Sequence, residues 1–118
     1  MRPPRMIVSL LALGVSAPLA GCGAGSSPAV AAGPNHVLVA NFAFTPSSLS
    51  VHVGDSVTWD FDQPDAPHNV ASGSGADQFA SGAPQGRGHY TYRFTQAGTV
   101  NYVCVVHPSM RGSVTVTP

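Results

Sequence analysis

The stretch Tyr90-Thr91-Tyr92-Arg93-Phe94-Thr95-Gln96-Ala97-Gly98-Thr99-Val100-Asn101-Tyr102-Val103-Cys104 decides how this chain folds. Tyr90, Tyr92 and Phe94 alternate with polar residues, Gln96-Ala97-Gly98 turns the chain, and Val100, Tyr102 and Cys104 share the next inner face. A period of two belongs to strands, whose successive side chains point to opposite faces of a sheet. The same period recurs upstream in Val37 and Val39, in Leu49, Val51 and Val53, and in Val57, Trp59 and Phe61. Downstream, Val114 and Val116 predict a last short strand. Gly54-Asp55 is a turn signal, so residues 49–61 are expected to form a hairpin-like pair. Asp62 to Gly88, with Pro64, Pro67, Pro84 and five glycines, is expected to be mostly loop. Eleven prolines and thirteen glycines in 118 residues suit many turns between short strands. One all-β domain, a sandwich or Greek-key barrel, is the expected architecture.

The first residues read as a leader. Arg2 and Arg5 give a positive start, and Met6 to Ala17 is apolar but short for a bilayer span. Leu19-Ala20-Gly21-Cys22 resembles a bacterial lipobox, in which the Cys22 thiol receives a diacylglyceryl group. An ordinary signal peptide with an incidental cysteine is the alternative. Residues 1–21 are thus expected to be a lipoprotein signal peptide, and residues 22–35 a lipidated Cys22 followed by a Gly/Ala/Ser/Pro tether. Residues 36–118 are the expected domain. Several acyl chains anchor stably where one binds only marginally, and a flexible tether of this length reaches roughly 20 Å. The exported protein would be lipid-anchored on the outer face of the cell membrane, or periplasmic.

Charge is sparse: five arginines, five aspartates, no lysine and no glutamate. Without residues 1–21, three arginines face five aspartates, a formal charge of −2. No basic run exists to meet a phosphate backbone, which excludes a nucleic-acid partner.

Two cysteines remain after the leader, Cys22 and Cys104. A disulfide between them is one reading. If Cys22 is acylated, however, Cys104 is a lone thiol in an oxidising compartment, and a metal is its cleanest occupant. Cys104, His107 and Met110 stand at n, n+3 and n+6, where the Val100 to Val106 strand runs out. Pro108 fixes φ as the loop bends back and biases His107 toward extended geometry. Upstream, His68 in Pro67-His68-Asn69-Val70 is the candidate fourth donor. Taken singly, His68 is an ordinary loop histidine, Met110 a packing residue and Cys104 an inert buried thiol. Together, two histidines, a thiolate and a distant thioether form the ligand combination of blue-copper electron-transfer sites. His36 ahead of the first strand, His52 on the polar face between Val51 and Val53, and His89 after a glycine-rich loop are all expected to be solvated.

These residues carry a family resemblance. Val53-Gly54-Asp55-Ser56-Val57-Thr58-Trp59, Pro67-His68-Asn69-Val70, Tyr90 to Gly98 and Cys104 to Val116 together look like a cupredoxin of the plastocyanin and azurin group. The loop Cys-x-x-His-Pro-x-Met followed by Arg-Gly is most similar to that of amicyanin. The resemblance implies a Greek-key β-sandwich with one copper ion, cycling between Cu(II) and Cu(I). It implies copper held by His68, Cys104, His107 and a weak axial Met110. It further implies that Asn69 stiffens the cysteine-bearing loop by a hydrogen bond, and that electrons enter and leave through His107. Pro108, Val106 and Pro67 would form an apolar collar for transient redox partners. The expected protein is a monomeric one-electron carrier and not an enzyme, since four protein donors leave no open position for substrate. A storage, sensing or delivery protein for copper is the alternative. Cys104 and His107 as a nucleophile pair would lack an orienting acid and an oxyanion donor. The partner stays open between an amine-oxidising dehydrogenase and a respiratory-chain protein.

Overall fold

A computed structural model of the chain describes residues 33–118. The expected signal peptide, Cys22 and most of the expected tether lie outside these residues. Eight strands form in order: β1 (His36–Ala40), β2 (Ala43–Thr45), β3 (Ser48–His52), β4 (Ser56–Asp62), β5 (Ala71–Ser74), β6 (Arg87–Arg93), β7 (Gly98–Val103) and β8 (Arg111–Thr117). They make two four-stranded sheets, ordered β2-β1-β4-β6 and β3-β8-β7-β5. The all-β sandwich expected from the alternation is what these strands build.

The inner faces are those the period of two selects. Val37, Val39, Val57, Trp59 and Phe61 from one sheet meet Val51, Val100, Tyr102, Val114 and Val116 from the other, all of them buried. Trp59 sits at the centre of the packing. Its ring meets Tyr102 edge-on at 5.3 Å between centroids, and Phe79 and Tyr90 stack on it at 5.3 and 5.9 Å. Each such aromatic pair contributes about 0.5–1.5 kcal/mol beyond its buried area. Gly112 on β8 exists to make room for this core, because a Cβ there would collide with the Tyr102 ring and hydroxyl.

Two expectations are corrected. Residues 49–61 are not a hairpin: β3 pairs with β8 and β4 pairs with β1 and β6, so the Gly54-Asp55 turn carries the chain from one sheet to the other. The turn itself is present, with Asp55 N–H donating to the His52 carbonyl and the Asp55 carboxylate accepting from the His52 N–H. Alternation reports which side chains point inward, but both sheets share one interior, so it cannot name the strand's neighbour. Val53, expected inward with Val51, is 44% exposed because it lies past the end of β3, in that corner.

The loop between β5 and β6 is fastened by a buried carboxylate. Asp77 accepts hydrogen bonds from the Tyr92 hydroxyl (2.9 Å), the Thr95 hydroxyl (2.8 Å) and the backbone N–H groups of Thr95 and Gln96. Burial pushes its pKa up, but these donors outweigh that and hold the carboxyl below its ordinary value.

Candidate metal centre

Three strand ends deliver the donors to one end of the sandwich. β7 stops at Val103, so Cys104 leaves the sheet with its side chain fully buried. The chain then runs through Val105 to Ser109 and returns as β8. Two backbone bonds close this loop: Met110 N–H donates to the His107 carbonyl (2.8 Å) and Cys104 N–H to the Met110 carbonyl (3.1 Å). Arg111 Nε donates to the Pro108 carbonyl at 3.2 Å and braces the same turn. Met110 is buried and its backbone lies against Cys104.

His68 comes from the segment after β4. Its backbone exchanges both hydrogen bonds with Gln85, at 3.0 and 2.7 Å, which fixes an otherwise proline-rich loop. The ring is buried, whereas that of His107 is half-buried. His68 Nδ1 lies 2.9 Å from His107 Nδ1, and each is 3.7 Å from Cys104 Sγ. These three atoms are the one cluster of metal-ligating His, Cys or acidic side chains among the described residues. A triangle with those sides has its centre about 2.0 Å from each corner, the length of a metal–nitrogen bond and slightly short of a metal–thiolate bond. The donor set and its spacing therefore fit a single soft or borderline ion such as copper.

The electrostatics favour ligation. Burial lowers the pKa of His68, and the neighbouring His107 lowers it further, so the imidazole is kept neutral with a lone pair to offer. Among the described residues Cys104 has no disulfide partner. Asn69, buried next to His68, accepts from the Val105 N–H at 2.8 Å and donates to the Gly82 carbonyl at 3.2 Å. It ties the loop carrying His68 to the loop carrying Cys104 and His107.

Two residues at the site were not singled out from the sequence. Phe42 forms the tip of the β1–β2 hairpin and sets its ring edge-on against His68 and His107, at 5.4 and 5.0 Å between centroids. Gln63 presents its side-chain oxygen to His68 Nε2 at 2.7 Å. Phe42 carries no donor atom, and a phenylalanine at a turn tip or a glutamine in a loop has no spacing to betray it. The exposed collar is also wider than expected: Val106 is 48% exposed and Pro108 and Pro67 are exposed, but Val105 (56%) and Phe42 (53%) are larger contributors. His36, expected to be solvated, is half-exposed and pairs with Asp60 at 2.7 Å.

Residues 32–117 match the family of copper binding proteins, plastocyanin/azurin family. The chain belongs to that family. As a cupredoxin it is 32% identical over 120 residues to amicyanin-alpha of Methylorubrum extorquens, covering 98% of this chain and 99% of the relative. It is 39% identical over 90 residues to amicyanin of Paracoccus denitrificans, covering 74% of this chain and 68% of the relative. Among solved structures, a reduced amicyanin variant superposes with a TM-score of 0.61 at 39% identity, over 74% of this chain and 85% of that one. A purple cupredoxin from Nitrosopumilus maritimus superposes at 0.62 with 27% identity, over 70% and 98%. The cofactor of this cupredoxin is copper, with His68, Cys104, His107 and Met110 as its candidate site.

Proposed function

We propose that this cupredoxin is a one-electron carrier and not an enzyme. One observation carries the reading: Nδ1 of His68, Nδ1 of His107 and Sγ of Cys104 already converge on a single point at one end of the sandwich. Copper held there supplies reversible Cu(II)/Cu(I) chemistry. The chain's part is to keep the donors where both oxidation states accept them, so that little rearrangement accompanies transfer. Asn69 and the two backbone bonds across Cys104 to Met110 do this by rigidifying both loops. Burial excludes water from Cys104 and His68. With Met110 as the fourth donor, all sides are taken by protein, and a substrate has no position to occupy.

Electrons enter and leave at His107, the ligand whose ring reaches the surface. The apolar collar of Phe42, Val105, Val106 and Pro108 suits brief encounters with redox proteins, which bury small areas so that partners exchange quickly. The lipobox-like Leu19-Ala20-Gly21-Cys22 supports attachment to the outer face of the cell membrane, with residues 23–34 as the tether.

Addition of Cu(II) to the purified domain is expected to give an intense visible charge-transfer band that Cys104→Ser abolishes. Stoichiometric copper in a colourless wild-type protein would sink the proposal. Fast electron self-exchange is expected of a carrier; slow exchange with tight copper retention would instead mark a storage or delivery protein. Acyl-chain labelling of the full-length protein, lost in Cys22→Ala, tests the anchor.

A further inference from the structure

The side-chain oxygen of Gln63 receives two hydrogen bonds, one from the backbone N–H of Phe42 at 3.0 Å and one from His68 Nε2 at 2.7 Å. The first identifies the second. A backbone N–H can only donate, so the Gln63 atom facing Phe42 is the carbonyl oxygen and not the amide nitrogen. That oxygen can only accept, so the His68 nitrogen it also faces must carry a proton. In a neutral imidazole the other nitrogen, Nδ1, is then the bare one. Nδ1 is the atom aimed at Cys104 Sγ and His107 Nδ1.

Gln63 is itself held at both ends. Its N–H donates to the Gly86 carbonyl at 2.9 Å and its carbonyl accepts from Ala66 N–H at 3.1 Å. Gly86 lets this happen, because a Cβ there would stand 2.7 Å from the Pro64 Cα. The same carboxamide oxygen grips the Asn41-Phe42 turn, whose ring lies across both imidazoles. One side chain thus orients a ligand and seats the aromatic residue that covers it.

We propose that Gln63 is a positioning residue of the copper centre: it fixes His68 as the Nε2–H tautomer and couples that ring to the Phe42 hairpin tip. The proposal rests on the copper reading of the site, and it bears on the potential, since a partner on the outer nitrogen sets how strongly the inner one donates.

Long-range nitrogen–proton NMR of the metal-free protein at mildly alkaline pH is expected to show His68 in the Nε2–H form. Gln63→Leu should populate the second tautomer and weaken Cu(II) binding about 10- to 100-fold. Gln63→Glu should keep the tautomer and lower the reduction potential, because an added negative charge favours Cu(II). An Nδ1–H tautomer in the wild-type protein, or unchanged tautomer and copper affinity in Gln63→Leu, would overturn the proposal. Should Gln63→Leu fail to fold, a folded Gln63→Glu protein with the wild-type potential would overturn it equally. A colourless wild-type protein would count against the copper reading, whereas the tautomer in metal-free protein decides the role of Gln63 separately.

Discussion

The ring of Phe42 stands perpendicular to that of His107, with centroids 5.0 Å apart and planes at 89°. It reaches this position from a two-residue turn in which Asn41 and Phe42 have φ of 52° and 55°. Positive φ at both residues defines the tight hairpin turn whose twist matches the flanking strands, and glycine is preferred at its second place. Asparagine tolerates the left-handed region, but a bulky aromatic there is a backbone outlier. Such strain persists where the side chain has work to do.

Phe42→Gly should therefore separate fold from site. It creates the favoured Asn-Gly turn and removes strain of roughly 1–2 kcal/mol, against the loss of packing by a side chain that is 53% exposed. The melting temperature of the metal-free protein is expected to be no lower than wild type. Copper extraction by a chelator, followed by loss of visible absorbance, is expected to be several-fold faster. A clear drop in melting temperature would show that Phe42 serves the fold instead.

Asn69→Ala removes the acceptor for Val105 N–H and the donor to Gly82. A lost hydrogen bond of this part-buried kind costs about 0.5–1.5 kcal/mol, and denaturant unfolding of the metal-free protein should register a loss of that size. Because Val105 adjoins Cys104, the copper-loaded variant should also show a broadened or shifted charge-transfer band. An unaltered band with unaltered stability would show that the tie between the two loops is dispensable.

Tyr102 predicts the alkaline limit. Burial pushes its hydroxyl up to about 12, with the Trp59 indole offsetting part of the rise. The folded state thus prefers the neutral phenol more than the unfolded chain does, whose tyrosine titrates near pH 10. The stabilisation is full below about pH 10 and is lost as pH rises through about 12, on the order of 2–3 kcal/mol. Tyr102→Phe should flatten that limb in urea titrations of the metal-free protein. The hydroxyl has no partner within hydrogen-bond geometry among the described residues, so the same variant should be no less stable than wild type at neutral pH. A neutral-pH loss above about 1 kcal/mol would show that the hydroxyl is bonded in solution.

Asp77 sets the acid limit by the opposite sign. Its folded pKa lies below the ordinary carboxylate value, so its contribution is present above about pH 4 and disappears as pH falls through the folded value. Asp77→Asn should weaken the metal-free protein at neutral pH and make its stability less dependent on acid. An acid limb identical to wild type would assign that limb to other carboxyls.

The sequence makes the inner faces and the four candidate donors legible for different reasons. Alternation is a local property, so Val57, Trp59 and Phe61, or Val100 and Tyr102, declare their side without knowledge of the partner strand. His68, Cys104, His107 and Met110 stand out because metal chemistry restricts residue type and loop length together. Asn69 came through family resemblance, since an asparagine beside a histidine has no pattern of its own. Strand pairing was not legible at β3 and β4: a turn that joins two strands within one sheet and a turn that crosses between sheets share the same Gly-Asp signal. β2 is not legible because three residues with one buried side chain, Phe44, hold too little alternation to register. Gln63 and Phe42 act only through what the fold brings beside them.

β8 lies inside its sheet, between β3 and β7, with a parallel pairing to residues 65 positions upstream, such as Ser48 with Ser113. A chain still missing residues 111–117 therefore leaves β3 without its described partner and the loop after Cys104 open at its far end. Long-range pairings of this kind are slow to close. Closing the loop that carries Cys104, His107 and Met110 thus depends on a contact that spans most of the domain, so the metal site is a product of long-range folding and not of its local sequence.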